Sequence, residues 1–127
     1  MKILIVEDNS INAKVLDLML KNLDFEYTTS FAVNADEALA VVEEDTFDLI
    51  LMDINLGDGQ LTGTEVMQQL KSTEMHKDIP MYAVTCYSLP GDKERFLDAG
   101  FDKYISKPIN QTELLHEIQE EHAKSST

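Results

Sequence analysis

The sequence predicts an α/β fold, a five-stranded parallel sheet with helices on both faces. Ile3-Leu4-Ile5-Val6 and Leu49-Ile50-Leu51-Met52 are unbroken apolar runs, the mark of strands buried on both sides. Each run ends abruptly in acid: Glu7-Asp8 after the first, Asp53 after the second. Around them, stretches with apolar residues at helical spacing alternate with further strand-like runs, giving five strand–helix units. Right-handed crossovers leave few ways to wind such a chain. The order 2-1-3-4-5 puts strands one, three and four, which carry the apolar runs, at the centre. A buried strand ends in an isolated acid only where the sheet meets solvent. In open α/β sheets that carboxyl edge is where ligands bind.

The elements follow in order. Asn9 or Ser10 caps a first helix whose apolar face is read as Ile11, Val15, Leu18 and Met19, broken by Asn22 and Asp24. Residues 27–31 form a short, more polar edge strand. Asn34 with Glu37 resembles a capping box and opens a helix carrying Ala35, Ala38, Leu39 and Val42 as far as Asp45. The central strand, 47–52, leaves the sheet through a loop with Gly57 and Gly59. Gly63, Val66, Met67 and Leu70 mark the third helix, and residues 71–78 a polar connection. Pro80 opens the fourth strand, 81–84, and Thr85 closes it. A loop with Pro90 and Gly91 leads to a shorter helix carrying Phe96 and Leu97, capped by Gly100. Residues 101–105 are the fifth strand, ended by Ser106-Lys107-Pro108. Asn110 with Glu113 repeats the capping pattern before a last helix with Leu114, Leu115, Ile118 and His122 on one face, and residues 124–127 are expected to fray.

Composition narrows the classes of function. The 127 residues suit a single domain, 1–127, without repeats or linkers. No apolar run approaches a membrane span, and the strand-like N-terminus does not read as a signal peptide. One cysteine, Cys86, precludes an internal disulfide and fits a reducing compartment. A net charge of −14 argues against binding nucleic acid or anionic lipid, and suits a site that holds a cation.

Glu7, Asp8, Asp53, Thr85 and Lys107 all fall at carboxyl ends of strands, so the topology converges them on one pocket. Three crowded carboxylates repel one another, which raises their pKa values unless a divalent cation intervenes. Mg²⁺ takes a few carboxylate oxygens and keeps waters that a phosphate can replace. A carboxylate can also attack phosphorus, giving an aspartyl phosphate. Mg²⁺, the Lys107 ammonium and the Thr85 hydroxyl would then supply charge and hydrogen bonds to the phosphoryl oxygens.

With Glu7-Asp8, Asp53, Thr85 and Lys107-Pro108 each at a strand end and in this order, the chain resembles the receiver domain of two-component response regulators over essentially its whole length. Thr85 and Lys107 also stand at that family's mutual spacing. The resemblance implies a flavodoxin-like (βα)5 fold with strand order 2-1-3-4-5. It implies that Asp53 accepts a phosphoryl group from a sensor histidine kinase or histidine phosphotransfer protein. Glu7, Asp8, Asp53 and the backbone carbonyl of Asn55 would hold Mg²⁺. Thr85 would be the switch hydroxyl, Lys107 the grip on the phosphoryl group, and Tyr104 the aromatic that turns. The Lys107–Pro108 bond would be cis. The implied protein is a cytoplasmic signalling switch, not an enzyme in the ordinary sense, though it takes part in gaining and slowly losing its own phosphoryl group. Its output would pass through the face of helix 4, strand 5 and helix 5, with Leu89, Pro90, Phe96 and Tyr104 meeting a protein partner or a second copy of the domain.

The chain departs from that family in three places. The loop after Asp53 is longer and has Leu56-Gly57 where many members have Met-Pro. Cys86 stands where a small residue is common, and would narrow access to Asp53. Tyr87 lies where side chains often tune the phosphoryl lifetime.

Each residue also has a plainer reading. Glu7-Asp8 could be an exposed loop pair, Asp53 a helix N-cap, Thr85 an ordinary strand residue, Lys107 a surface charge and Tyr104 a half-buried strand aromatic. The three histidines lack metal-ligand spacing and read as surface or helix-face residues. The methionines Met19, Met52, Met67 and Met81 read as core filler, Cys86 as a buried small residue, and Glu117, Glu120 and Glu121 as a solvated helix face. Among other functions, a flavin carrier on this fold would need phosphate-binding donors after strand one, where this chain has two acids. An aspartyl phosphatase would need an acid where Asn55 stands. A receiver-like interaction module independent of phosphorylation would not need the five-residue set.

Overall fold

The computed structural model describes residues 1–56, 61–86 and 89–125. The elements alternate as expected: β1 (Lys2–Val6), α1 (Ser10–Leu20), β2 (Thr28–Ala32), α2 (Ala35–Glu44), β3 (Leu49–Asp53), α3 (Gly63–Lys71), β4 (Met81–Thr85), α4 (Asp92–Ala99), β5 (Lys103–Ser106) and α5 (Gln111–Ser125). All strand pairs are parallel, in the order β2-β1-β3-β4-β5. Gly57, Gly59, Tyr87 and the last two residues of the tail lie outside the described residues. No described helix is long and apolar enough to cross a membrane.

The unbroken apolar runs have their physical reason in the two faces of the sheet. Side chains alternate along each strand. Ile3, Ile5, Leu49, Leu51, Tyr82 and Val84 point to one face, where Leu16 and Leu20 of α1 and Leu114 and Ile118 of α5 cover them. Leu4, Val6, Ile50, Met52, Met81 and Ala83 point to the other, under Ala38 and Val42 of α2, Val66, Met67 and Leu70 of α3, and Phe96 of α4. Every residue of β3 and β4 is buried. Each of the larger aliphatic side chains among them contributes about 1.5–3 kcal/mol on leaving water.

Caps set the helix starts. Asn9 Oδ1 accepts the N–H groups of Ile11 and Asn12, Asn34 that of Glu37 and Asn110 that of Glu113. Each cap is worth about 1 kcal/mol. The full reciprocal box lies at α3, between Thr62 and Glu65, a cap that was not expected although its Thr-x-x-Glu pattern is plain in the sequence. Gly100 ends α4 with φ 130°, a conformation that side chains rarely adopt.

Several expectations need correction. In α1 the residues turned to the sheet are Ala13, Leu16 and Leu20, whereas Ile11, Val15 and Leu18 are exposed and Met19 is half-buried. Apolar residues cover both flanks of the helix and leave the side of Ser10, Lys14 and Asp17 polar, so spacing alone does not choose the buried side. β2 begins and ends one residue later than expected, because Thr28 pairs with Lys2 and Ala32 with Val6. Phe101 precedes β5 and is buried. His76 is buried within the connection after α3, whereas His122 lies on a face of α5 as expected and stacks on Phe25 with ring centroids 3.8 Å apart. Glu117 and Glu121 are not free in solvent: Glu117 pairs with Lys103 at 3.2 Å, and Glu121 accepts the Tyr82 hydroxyl at 3.0 Å. α5 continues through Lys124 to Ser125, where fraying was expected.

Candidate functional site

The carboxyl edge of the sheet gathers the five expected residues. Asp53 and Thr85 are the last residues of β3 and β4. Glu7 and Lys107 are the first residues past β1 and β5, and the backbone ladder still holds them. The Glu7 N–H donates to Ala32 O at 3.0 Å, and the Lys107 N–H to Thr85 O at 2.8 Å. Their side chains therefore start from rigid backbone. Glu7, Asp53 and Thr85 are buried, while Asp8 is exposed. The Lys107–Pro108 peptide bond is cis.

One carboxylate oxygen from each of Glu7, Asp8 and Asp53 lies within 4.8 Å of the others. Lys107 reaches into this group: its Nζ is 3.0 Å from Glu7 Oε2 and 3.7 Å from Asp53 Oδ1. Burial, reinforced by the Glu7 charge, pushes the Asp53 carboxyl up to about 6. Lys107 and the Asn55 N–H, which donates to Asp53 Oδ1 at 3.4 Å, oppose the rise without cancelling it. For Lys107, burial favours the neutral amine, but its bond to Glu7 and the Asp53 charge outweigh that and raise its pKa. A buried acid with a raised pKa beside two others is a site that a hard cation relieves. A donor set made only of oxygen fits Mg²⁺ in kind.

The start of α3 closes on the same spot. Gly63 N–H donates to Ile54 O at 2.8 Å, and Ile54 and Leu56 are buried. Of the plainer readings, that of Asp53 as an N-cap does not hold. The cap of α3 is Thr62, and Asp53 ends a strand.

Thr85 and Tyr104 lie on one face of adjacent strands. Tyr104 pairs in register with Ala83, two residues before Thr85. The Tyr104 ring is half-buried and stacks on Phe96 of α4, with centroids 6.1 Å apart. Cys86 is exposed, contrary to expectation. It is the first residue past β4, and the burial that holds Thr85 ends with the strand. Gly63 is the residue whose part at the site sequence reasoning missed, since its contact with Asp53 exists only in the folded chain.

Residues 3–119 match the response regulator receiver domain family. The chain belongs to that family. The receiver is 38% identical over 117 residues to the polar-differentiation response regulator DivK of Brucella anthropi, covering 92% of each chain. It is 36% identical over 124 residues to hybrid signal transduction histidine kinase I of Dictyostelium discoideum, of which it spans 7%. Among solved structures, the receiver domain of the sensor histidine kinase PA1611 from Pseudomonas aeruginosa superposes with a TM-score of 0.81 at 33% identity, over 94% of both chains. That structure has a magnesium ion coordinated in its active site cleft. The chemotaxis protein CheY4 of Vibrio cholerae superposes with a TM-score of 0.80 at 27% identity, over 94% of this chain and 96% of that one. Members of the family are signalling switches, so the receiver is a switch and not a conventional enzyme.

Proposed function

We propose that this receiver, acting as one unit over residues 1–127, accepts a phosphoryl group on Asp53 from a phosphohistidine of a sensor kinase or phosphotransfer protein in the cytoplasm. The observation that carries the reading is Asp53 itself. It is a buried carboxylate with a pKa raised to about 6, between a second acid and an ammonium, at the sheet edge where ligands bind. At neutral pH it is mostly ionised, and it is more basic than an ordinary aspartate. An Asp53 oxygen attacks phosphorus as the phosphorus–nitrogen bond to the donor imidazole breaks. The bonding electron pair and a proton go to the imidazole. Water later attacks the acyl phosphate and returns Asp53 as a carboxylate with inorganic phosphate.

Glu7, Asp8, Asp53 and the Asn55 carbonyl would hold Mg²⁺, which when bound neutralises the charge that an incoming phosphoryl group adds to these acids. The magnesium in the Pseudomonas receiver and the spacing of the three acids support this assignment. Lys107 and Thr85 bind the phosphoryl oxygens, Lys107 by charge and Thr85 by donating its hydroxyl. The output face is formed by α4, β5 and α5. It meets a protein partner or a second copy of the domain through Leu89, Pro90, Phe96 and Tyr104.

The test is incubation with acetyl phosphate and Mg²⁺. One hydroxylamine-labile phosphoryl group is expected, lost in Asp53→Asn and in the presence of a chelator. Asp8→Ala should weaken Mg²⁺ binding and slow labelling while leaving the fold intact. A chain that binds its partners equally well with and without phosphoryl transfer would instead be a phosphorylation-independent interaction module.

A further inference from the structure

The acid pair Glu7-Asp8 stands on a very short bridge between β1 and α1. The Glu7 N–H donates to Ala32 O at 3.0 Å, so Glu7 is still tied into the sheet. The Ala13 N–H donates to Asn9 O at 3.0 Å, so Asn9 is already tied into the helix. Asp8 is the single residue between these fixed points, and it is exposed. Burial does not place its carboxylate. The path by which the chain leaves β1 and enters α1 must do so, and Asn9 sets that path from both sides. Asn9 Oδ1 accepts the Ile11 and Asn12 N–H groups at 2.9 and 3.0 Å, which holds the first turn of α1 against it. The Asn9 backbone is extended, with φ −97° and ψ 116°, as a cap requires. Its own N–H points back and donates to Glu7 Oε1 at 3.3 Å. The other oxygen of that carboxylate pairs with Lys107, so the Asn9 N–H fixes the rotation of a group held at its far side. Asn34 caps α2 by the same chemistry, accepting the Glu37 N–H at 2.8 Å, but none of the three grouped acids is next to it in the chain.

We propose that Asn9 is a positioning residue for the cation site: its cap on α1 sets where the carboxylates of Glu7 and Asp8 stand relative to Asp53. The inference rests on the cation reading of the site given above. The Asn9 side chain is spent on the helix and offers an ion nothing. It acts through the two acids before it. One oxygen from each of Glu7, Asp8 and Asp53 falls within 4.8 Å of the others, a grouping that a small rotation of the bridge disperses. Without the cap, the first turn of α1 loses two hydrogen bonds and the bridge gains that rotation. The acids can still reach an ion, but they stand elsewhere part of the time. Groups that orient metal ligands typically change affinity by ten- to hundredfold. Alanine at position 9 keeps the backbone N–H that meets Glu7, so the lower end of that range applies.

The experiment sets two caps against each other. Mg²⁺ affinity by calorimetry and unfolding in urea are measured for wild type, Asn9→Ala, Asn9→Ser and Asn34→Ala, with no phosphodonor present. Both alanine variants lose a cap and should unfold at lower urea. Asn9→Ala should also bind Mg²⁺ about tenfold more weakly, whereas Asn34→Ala should bind it as wild type does. Serine caps a helix about as well as asparagine, so Asn9→Ser should return the affinity to within about threefold of wild type. Equal Mg²⁺ affinity in Asn9→Ala and Asn34→Ala would overturn the proposal, because the cap would then serve the helix alone. Failure of serine to restore binding would overturn it too, since the acids would then depend on the amide and not on the cap. A wild-type chain that binds no Mg²⁺ at all overturns the cation reading and the role of Asn9 together, whereas the other negative results overturn the role of Asn9 alone.

Discussion

Gly63 abuts the backbone of Asp53 so closely that a Cβ added to it would lie 2.1 Å from the Asp53 carbonyl oxygen and 2.9 Å from the Asp53 carbonyl carbon. The obstruction is backbone in a central strand, which cannot swing aside as a side chain can. Gly63→Ala must push α3 away from the sheet or push Asp53 out of place. Overpacking of this kind costs about 1–3 kcal/mol. The expected outcome is a lower midpoint in urea together with weaker Mg²⁺ binding. Gln69→Ala, a control on the exposed side of α3, should change neither. Unchanged Mg²⁺ affinity in a destabilised Gly63→Ala would show that α3 yields and that Asp53 is held by β3 alone.

The raised pKa of Asp53 sets a pH dependence. Its carboxyl is pushed up to about 6 in the folded chain, against an ordinary 3.8 when unfolded. Between these values the folded state binds more protons, so stability falls as pH rises from about 4 to above 6. A tenfold difference in proton affinity is worth about 1.4 kcal/mol, and solvent screening at the rim leaves about 1–2 kcal/mol for Asp53. Asp53→Asn is neutral throughout and escapes the loss. In chelator at pH 7.5 it should be more stable than wild type by that amount, with the gap closing toward pH 4. Denaturant unfolding at the two pH values checks this. A less stable Asn variant at pH 7.5 would mean that the carboxylate makes a net favourable contact.

What the sequence made legible, and what it did not, follows from how many constraints bear on each residue. β1, β3 and β4 were readable because both of their faces are buried, which leaves only apolar residues and a sharp polar end. The site residues were readable because the end of a strand is also the edge of the sheet, so position along the chain and position in space coincide. The buried face of α1 was not, because Ile11, Val15 and Leu18 make as good a helical stripe as Ala13, Leu16 and Leu20. Only docking on the sheet separates them. Cys86 was misread for a related reason: the strand pattern extends one residue beyond the strand that generates it. The pairing of Lys107 with Glu7 was out of reach, since it depends on the direction of two long side chains across the sheet edge.

The correction to α1 has a measurable consequence. Ile11 is 70% exposed and Leu18 59%, whereas Leu16 is 4% exposed. Replacing Ile11 or Leu18 by Gln should change stability by no more than about 0.5 kcal/mol. Leu16→Ala opens a cavity over Ile3 and Ile5 and should cost about 2–5 kcal/mol. Equilibrium urea unfolding of the three variants decides the matter. A loss above about 2 kcal/mol for Ile11→Gln would return the helix to the face that spacing suggested.

The last prediction concerns how the site speaks to the output face. Thr85 is 2% exposed, and its strand carries Ala83 directly beside Tyr104 of β5. Tyr104 in turn stacks on Phe96 of α4. A phosphoryl group on Asp53 adds acceptor oxygens one strand away from Thr85. If Thr85 donates its hydroxyl to them, the space it leaves lies on the face that Tyr104 shares, and the ring can turn into it. The Phe96 stack then breaks, and the surface made by α4 and β5 changes. Phosphate can shift this equilibrium only by its differential interaction with the two arrangements. Backbone NMR shifts with and without a beryllofluoride phosphate mimic should therefore change at residues 96–104 as well as around Asp53. Thr85→Ala should still bind the mimic but lose the response at 96–104. Tyr104→Ala should keep the response at Thr85 and lose it at Phe96. If Thr85→Ala retains the distant response, the signal travels through the α3–α4 contact and not through β4 and β5.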